Sequence, residues 1–146
     1  TAIENRKREV EILKEQGLSD LNTSTKKIAK EDQTDNIDHL QLAIKFQAMN
    51  NYPEAIKEFQ KALEKSPNDL YANNSLATIN YTQGKYEEAL NYYNKVISID
   101  PNQGSGYFNL AITYQALGRI NESKDTYLKA CQLGFKPGCD VLLGTK

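Results

Sequence analysis

Residues 52–67, YPEAIKEFQKALEKSP, and residues 86–101, YEEALNYYNKVISIDP, write one pattern twice. Every landmark is displaced by 34 positions: Tyr52 and Tyr86, Ala55 and Ala89, Phe59 and Tyr93, Ala62 and Val96, Pro67 and Pro101. A third stretch, INESKDTYLKACQLGF (120–135), keeps the offset through Ile120, Ser123, Tyr127 and Ala130. Upstream of each lies a second periodic run: HLQLAIKFQAMN, NSLATINYTQG and YFNLAITYQALG. These align on Leu42, Leu76 and Leu110 and on Ala43, Ala77 and Ala111. A fixed period of this size means one supersecondary unit stacked on copies of itself. Apolar residues three and four apart make both halves of the unit helical.

The recurring residue types say how the helices meet. Alanines at 43, 77, 111, 55 and 89 are small enough for antiparallel helices to approach closely. Phe59, Tyr93 and Tyr127 fill the space between successive units. Gly84 and Gly118 end the first helix of units two and three, where a left-handed residue is wanted, and unit one uses Asn50-Asn51 there. Pro53 suits a first helical turn, while Pro67 and Pro101 disfavour helix at Ser66 and Asp100. Such units bury their apolar faces only against neighbours.

The three units resemble the tetratricopeptide repeat (TPR), a helix-turn-helix of 34 residues. The likeness covers residues 36 to about 137 and implies an all-α fold, a right-handed α-solenoid with a concave groove. The units fall at 36–69, 70–103 and 104–137. Residues 1–35 form an N-terminal helix and polar linker, and 138–146 begin a capping helix. Three positions depart from the family pattern: Asn80 for an aromatic, Ser123 for the small Ala, and Phe135 for the closing Pro.

Outside the repeats, Ile3, Val10 and Leu13 form a short apolar stripe that predicts a helix over 2–16, stopped by Gly17. It reads as a cap on the array, or else as a docking or dimerisation helix. The net charge is −1, and Lys and Arg are spread rather than massed, which excludes a nucleic-acid footprint. No apolar run reaches the roughly 20 residues a membrane span needs. The first sixteen residues hold no apolar leader; because the sequence starts at Thr1 and not Met, this bears little on localisation.

Chemistry is sparse. His39, the one histidine, has no evident catalytic partner and reads as structural. Gly104-Ser105-Gly106 lacks the strand and Lys of a phosphate loop and reads as a turn at a repeat boundary. Glycosylation sequons stand at Asn22, Asn73 and Asn121, but such triplets are frequent by chance and act only in a eukaryotic secretory setting. A metal site from Cys131, Cys139 and His39 falls short of four ligands. The chain reads as a non-enzyme without cofactor or metal.

The TPR resemblance implies that fixed positions of each first helix line the groove. Here these are Ile37, Leu40, Gln41, Ile44 and Gln47; Tyr71, Asn74, Ser75, Thr78 and Tyr81; Ser105, Phe108, Asn109, Ile112 and Gln115. None is Lys or Arg, so the cationic clamp with which some TPR co-chaperones hold a terminal carboxylate is absent. What remains is a strip of amides and hydroxyls broken by aromatic rings. An amide donates and accepts at once, which suits Gln41, Asn74 and Asn109 to a peptide backbone. The expected partner is a protein or peptide segment whose apolar side chains rest on Tyr71, Tyr81, Phe108 and Ile112. The alternative is a structural subunit of a larger, envelope-associated assembly that oligomerises, as a homodimer for instance, through the N-terminal helix or the convex face.

The two cysteines lie in KACQLGFKPGC (129–139). Cys131 falls in the last turn of the third unit's second helix and Cys139 at the start of the next, with Pro137 and Gly138 read as the turn between them. The stretch also resembles the cysteine-rich bacterial relatives of the TPR, where cysteines eight apart link consecutive repeats. That resemblance implies a Cys131–Cys139 disulfide and a periplasmic or secreted protein; two free thiols in a cytoplasmic one are the alternative. A redox-catalytic pair would more usually be Cys-x-x-Cys.

Overall fold

The computed structural model describes residues 2–5, 7–8 and 39–144. Residues 2–5 and 7–8 are helical with Ile3 exposed. The remainder of the helix expected over 2–16, the linker, Asn22 and Ile37 lie outside the described residues. From residue 39 onward the described chain is a run of helices: α1 over 39–48, then α2 (Tyr52–Lys65), α3 (Leu70–Thr82), α4 (Tyr86–Ile99), α5 (Gly104–Ala116), α6 (Ile120–Gln132) and α7 (Lys136–Leu143). Packing runs chiefly between consecutive helices. This is the quasi-one-dimensional stacking of an α-solenoid: α1–α2, α3–α4 and α5–α6 form three helical hairpins, and the short α7 packs against α6.

The small landmark residues sit where helices touch. Ala43, Ala77 and Ala111 on the first helices and Ala55 and Ala89 on the second are fully buried. Ser123 takes the third small position; it is buried and its hydroxyl donates to the Ala111 carbonyl at 2.9 Å. A hydroxyl is therefore tolerated in place of the usual methyl because it satisfies itself on the facing backbone. Phe59, Tyr93 and Tyr127 are buried between units. Asn80, another departure, is buried as well, and its amide donates to the Leu76 carbonyl at 2.8 Å. Leu76 and Leu110 are buried but Leu42, their counterpart in the first unit, is exposed.

The turns repeat as closely as the helices. Asn50, Gly84 and Gly118 have φ of 57°, 76° and 74°. At each, the next N–H returns to a carbonyl in the last helical turn: Asn51 to Phe46, Lys85 to Asn80 and Arg119 to Tyr114, all at 2.9 Å. This left-handed closure satisfies carbonyls that the helix end leaves orphaned. Before Pro67 and Pro101, Ser66 and Asp100 leave the helical region, with φ of −129° and −128°. Asp69 caps α3 by accepting from the Ala72 N–H at 2.8 Å.

Two expectations are corrected. Pro137 and Gly138 do not form the turn before the last helix; both lie within the first turn of α7, and the reversal is made by Gly134 at φ 82°. Gly138 instead serves close approach, since a Cβ there would stand 2.9 Å from the Ala130 Cβ. Gly104 and Gly106 are likewise the opening turn of α5 rather than a loop. A Cβ on Gly104 would lie 2.7 Å from that of Phe135, so the missing side chain admits the aromatic that replaces the closing Pro. Asn73, in one of the sequons, is buried, and its amide donates to the carbonyls of Pro67 and Asp69 at 3.1 and 2.8 Å, which agrees with a chance triplet.

Cys131 and Cys139 are joined by a disulfide, with their Cα atoms 4.7 Å apart. It ties α7 to the last turn of α6. Closing an eight-residue separation is worth on the order of 2–3 kcal/mol of unfolded-chain entropy. Thiol titration of the unfolded, unreduced protein should therefore find no free thiol. Reduction should speed amide exchange in α7 by roughly 50-fold, with far less change in α3 and α4.

His39 also has a partner that the sequence did not reveal. Its Nδ1 lies 2.6 Å from Glu58 Oε2, and Lys61 Nζ donates to Glu58 Oε1 at 3.0 Å. Glu58 is buried in α2. Burial alone would raise its carboxyl, but the hydrogen bonds and charges of Lys61 and His39 outweigh it and hold the group below its ordinary value. A depressed folded value stabilises the protein above the unfolded value and is lost as pH falls through the folded one. Glu58→Gln should thus cost stability in denaturant titrations at pH 7, and the difference from the parent should shrink as pH falls below the ordinary carboxylate range.

Candidate functional site

Helices α1, α3 and α5 are the first members of their hairpins, and the expected groove residues distribute along them unequally. Gln41 and Ile44 on α1, and Tyr71 and Asn74 on α3, are exposed. Tyr71 also reaches back to the core, its ring 6.3 Å from that of Phe59. Ser75 is buried and so turned away from any ligand. Thr78, Tyr81, Asn109 and Ile112 come together around one open cleft of about 200 Å³, joined there by Tyr93. Phe108 is half-buried against Tyr127 and Phe135, with ring centroids at 5.4 and 5.3 Å. Gln115 accepts from the Tyr127 hydroxyl at 3.1 Å and borders a second cleft, of about 280 Å³.

Tyr93 is the residue that sequence reading placed elsewhere, as filler between units. It is filler along its ring, and buried, yet its hydroxyl comes out at the cleft beside Thr78 Oγ1 at 3.3 Å. Thr78 donates its own proton to the Asn74 carbonyl at 3.0 Å, which leaves Tyr93 as the donor between the two hydroxyls. Burial pushes the Tyr93 hydroxyl above its usual range, against the Thr78 hydrogen bond. The signal was present, because a tyrosine at a position otherwise held by Phe59 has a polar end that must find a partner.

The cleft between α3, α4 and α5 is therefore lined by two phenols, a hydroxyl, an amide and an aliphatic side chain, with no charge. Its asparagine differs from those that serve the fold. The amides of Asn73 and Asn80 are spent on backbone carbonyls. The half-buried Asn109 amide has no hydrogen-bond partner among the described residues and retains both donor and acceptor. Among the described residues no group of three or more His, Cys, Asp or Glu is placed to hold a metal ion.

Sequence profiles of the tetratricopeptide repeat match residues 40–104 and 92–125, together more than half of the chain. The chain belongs to the tetratricopeptide-repeat family. No curated protein matches it in sequence. Among solved structures, MamA superposes with a TM-score of 0.69 at 18% identity, covering 91% of this chain and 80% of that one. The first TPR of Spaghetti (RPAP3), bound to the HSP90 peptide SRMEEVD, gives a TM-score of 0.62 at 16% identity, covering 74% and 93%. The Thermobaculum terrenum O-GlcNAc transferase gives 0.62 at 20% identity, covering 70% of this chain but 20% of that one. These likenesses show the fold.

The two kinds of asparagine should separate by mutation. Asn80→Ala should cost roughly 1–3 kcal/mol of unfolding free energy, because it strips a buried, paired amide. Asn109→Ala should stay within about 0.5 kcal/mol in the same denaturation experiment.

Proposed function

We propose that the chain is a protein-interaction module that holds a segment of a partner protein in its concave groove. The observation that carries this is the uncharged cleft at Thr78, Tyr81, Tyr93, Asn109 and Ile112, with the unspent Asn109 amide at its rim. An amide with both capacities free matches one peptide unit, which presents one donor and one acceptor. The tyrosine rings and Ile112 supply apolar surface for a side chain beside it. Gln41, Ile44, Tyr71, Asn74, Phe108 and Gln115 extend the contact along the first helices. The array acts by binding and not by catalysis. The Spaghetti repeat holds an acidic peptide, and a groove without Lys or Arg at these positions favours a segment of different chemistry.

The Cys131–Cys139 bond supports a periplasmic or secreted setting, since disulfides rarely persist in a reducing cytosol. Among the described residues no helix is long and apolar enough to cross a membrane.

Pull-down from a lysate of the source organism, with Asn109→Ala and Tyr81→Ala as controls, identifies the partner and tests the site together. Each substitution should weaken the partner's affinity roughly fivefold or more without altering the fold. Unchanged affinity in both variants would remove the groove from the interaction.

A further inference from the structure

Two residues of the second cleft are the counterparts, one repeat further along, of two that line the first. Gln115 stands 34 residues after Tyr81 and Tyr127 stands 34 after Tyr93, and these pairs occupy the two clefts in turn. Leu142 joins the second cleft from α7. The second opening lies over the start of α6. Lys124 is exposed there, whereas Leu90, its counterpart one repeat earlier, is buried.

The chemistry changes with the step. Ile120, Val141 and Leu142 give apolar walls, each at least a third exposed. Lys124 is the one charged side chain among the lining residues, and it has no carboxylate partner among the described residues. The geometry points to a second anchor site for the groove-bound segment, which places an aliphatic side chain against Ile120 and Leu142 and an acidic residue beside Lys124. This rests on the groove reading and adds to it a bipartite ligand: an uncharged residue at the first cleft, an aliphatic-acidic pair at the second. Helices pack roughly 8–10 Å apart, so openings one repeat apart lie roughly 10–20 Å from each other, about three to six residues of extended chain.

Selection of a display library of random 12-residue peptides on the intact, oxidised chain tests the inference. Enriched peptides should carry an uncharged position and, three to six residues away, an aliphatic-acidic pair. Repeating the selection on Lys124→Glu should turn the acidic preference basic and leave the uncharged position as it was. An acid-bearing peptide should lose roughly fivefold in affinity for that variant. Lys124 is exposed, so the fold survives the change. Peptides with the uncharged position alone, or an acidic preference that persists in Lys124→Glu, overturn the second anchor and leave the groove standing. Failure to enrich any peptide removes the groove reading and the anchor together. A concentration-dependent dimer in sedimentation that Leu142→Asp abolishes assigns the cleft to a second copy and likewise overturns the proposal.

Discussion

Close contact between antiparallel helices is the constraint on which everything else here depends. It is set by Ala43, Ala77 and Ala111 facing Ala55, Ala89 and Ser123, none more than 3% exposed. Small residues at these points let two backbones approach, and the aromatic at Phe59, Tyr93 or Tyr127 then reaches across to the next unit. The same contact fixes the direction in which each first helix presents its outer side chains. Thr78, Tyr81, Asn109 and Ile112 meet at one opening because the landmarks beneath them meet. The register of the core is thus also the register of the surface.

The C-terminal junction shows the contact pushed to its limit. Two glycines, Gly104 and Gly138, stand where any Cβ would collide with Phe135 or Ala130. Phe135 replaces a proline as the boundary residue, and its ring joins Phe108 and Tyr127 in an aromatic cluster. A boundary usually enforced by a rigid imino acid is enforced here by packing, a left-handed Gly134 and a covalent bond.

Most of the fold was legible because repetition multiplies weak signals. One alanine says little, but Ala43, Ala77 and Ala111 at a constant offset specify a contact. The turns at Asn50, Gly84 and Gly118 were readable for the same reason. What escaped were features that occur once. The His39–Glu58–Lys61 cluster joins residues from two helices with no counterpart in the other units. Gly138 looked like a turn because proline precedes it, yet Pro-Gly suits a first helical turn when a close neighbour demands a missing side chain. Of the candidate groove, the helix positions were readable but the depth was not. Tyr93 enters the cleft from the second helix, and Ser75 is lost from it by burial.

The disulfide sets one junction apart from the rest. In a linear stack each helix is held by its neighbours, so a junction opens by losing non-covalent contacts alone. Between α6 and α7 the covalent loop from Cys131 to Cys139 survives such an opening. A separated α7 therefore stays tethered, and it returns to the same close approach of Gly138 to Ala130.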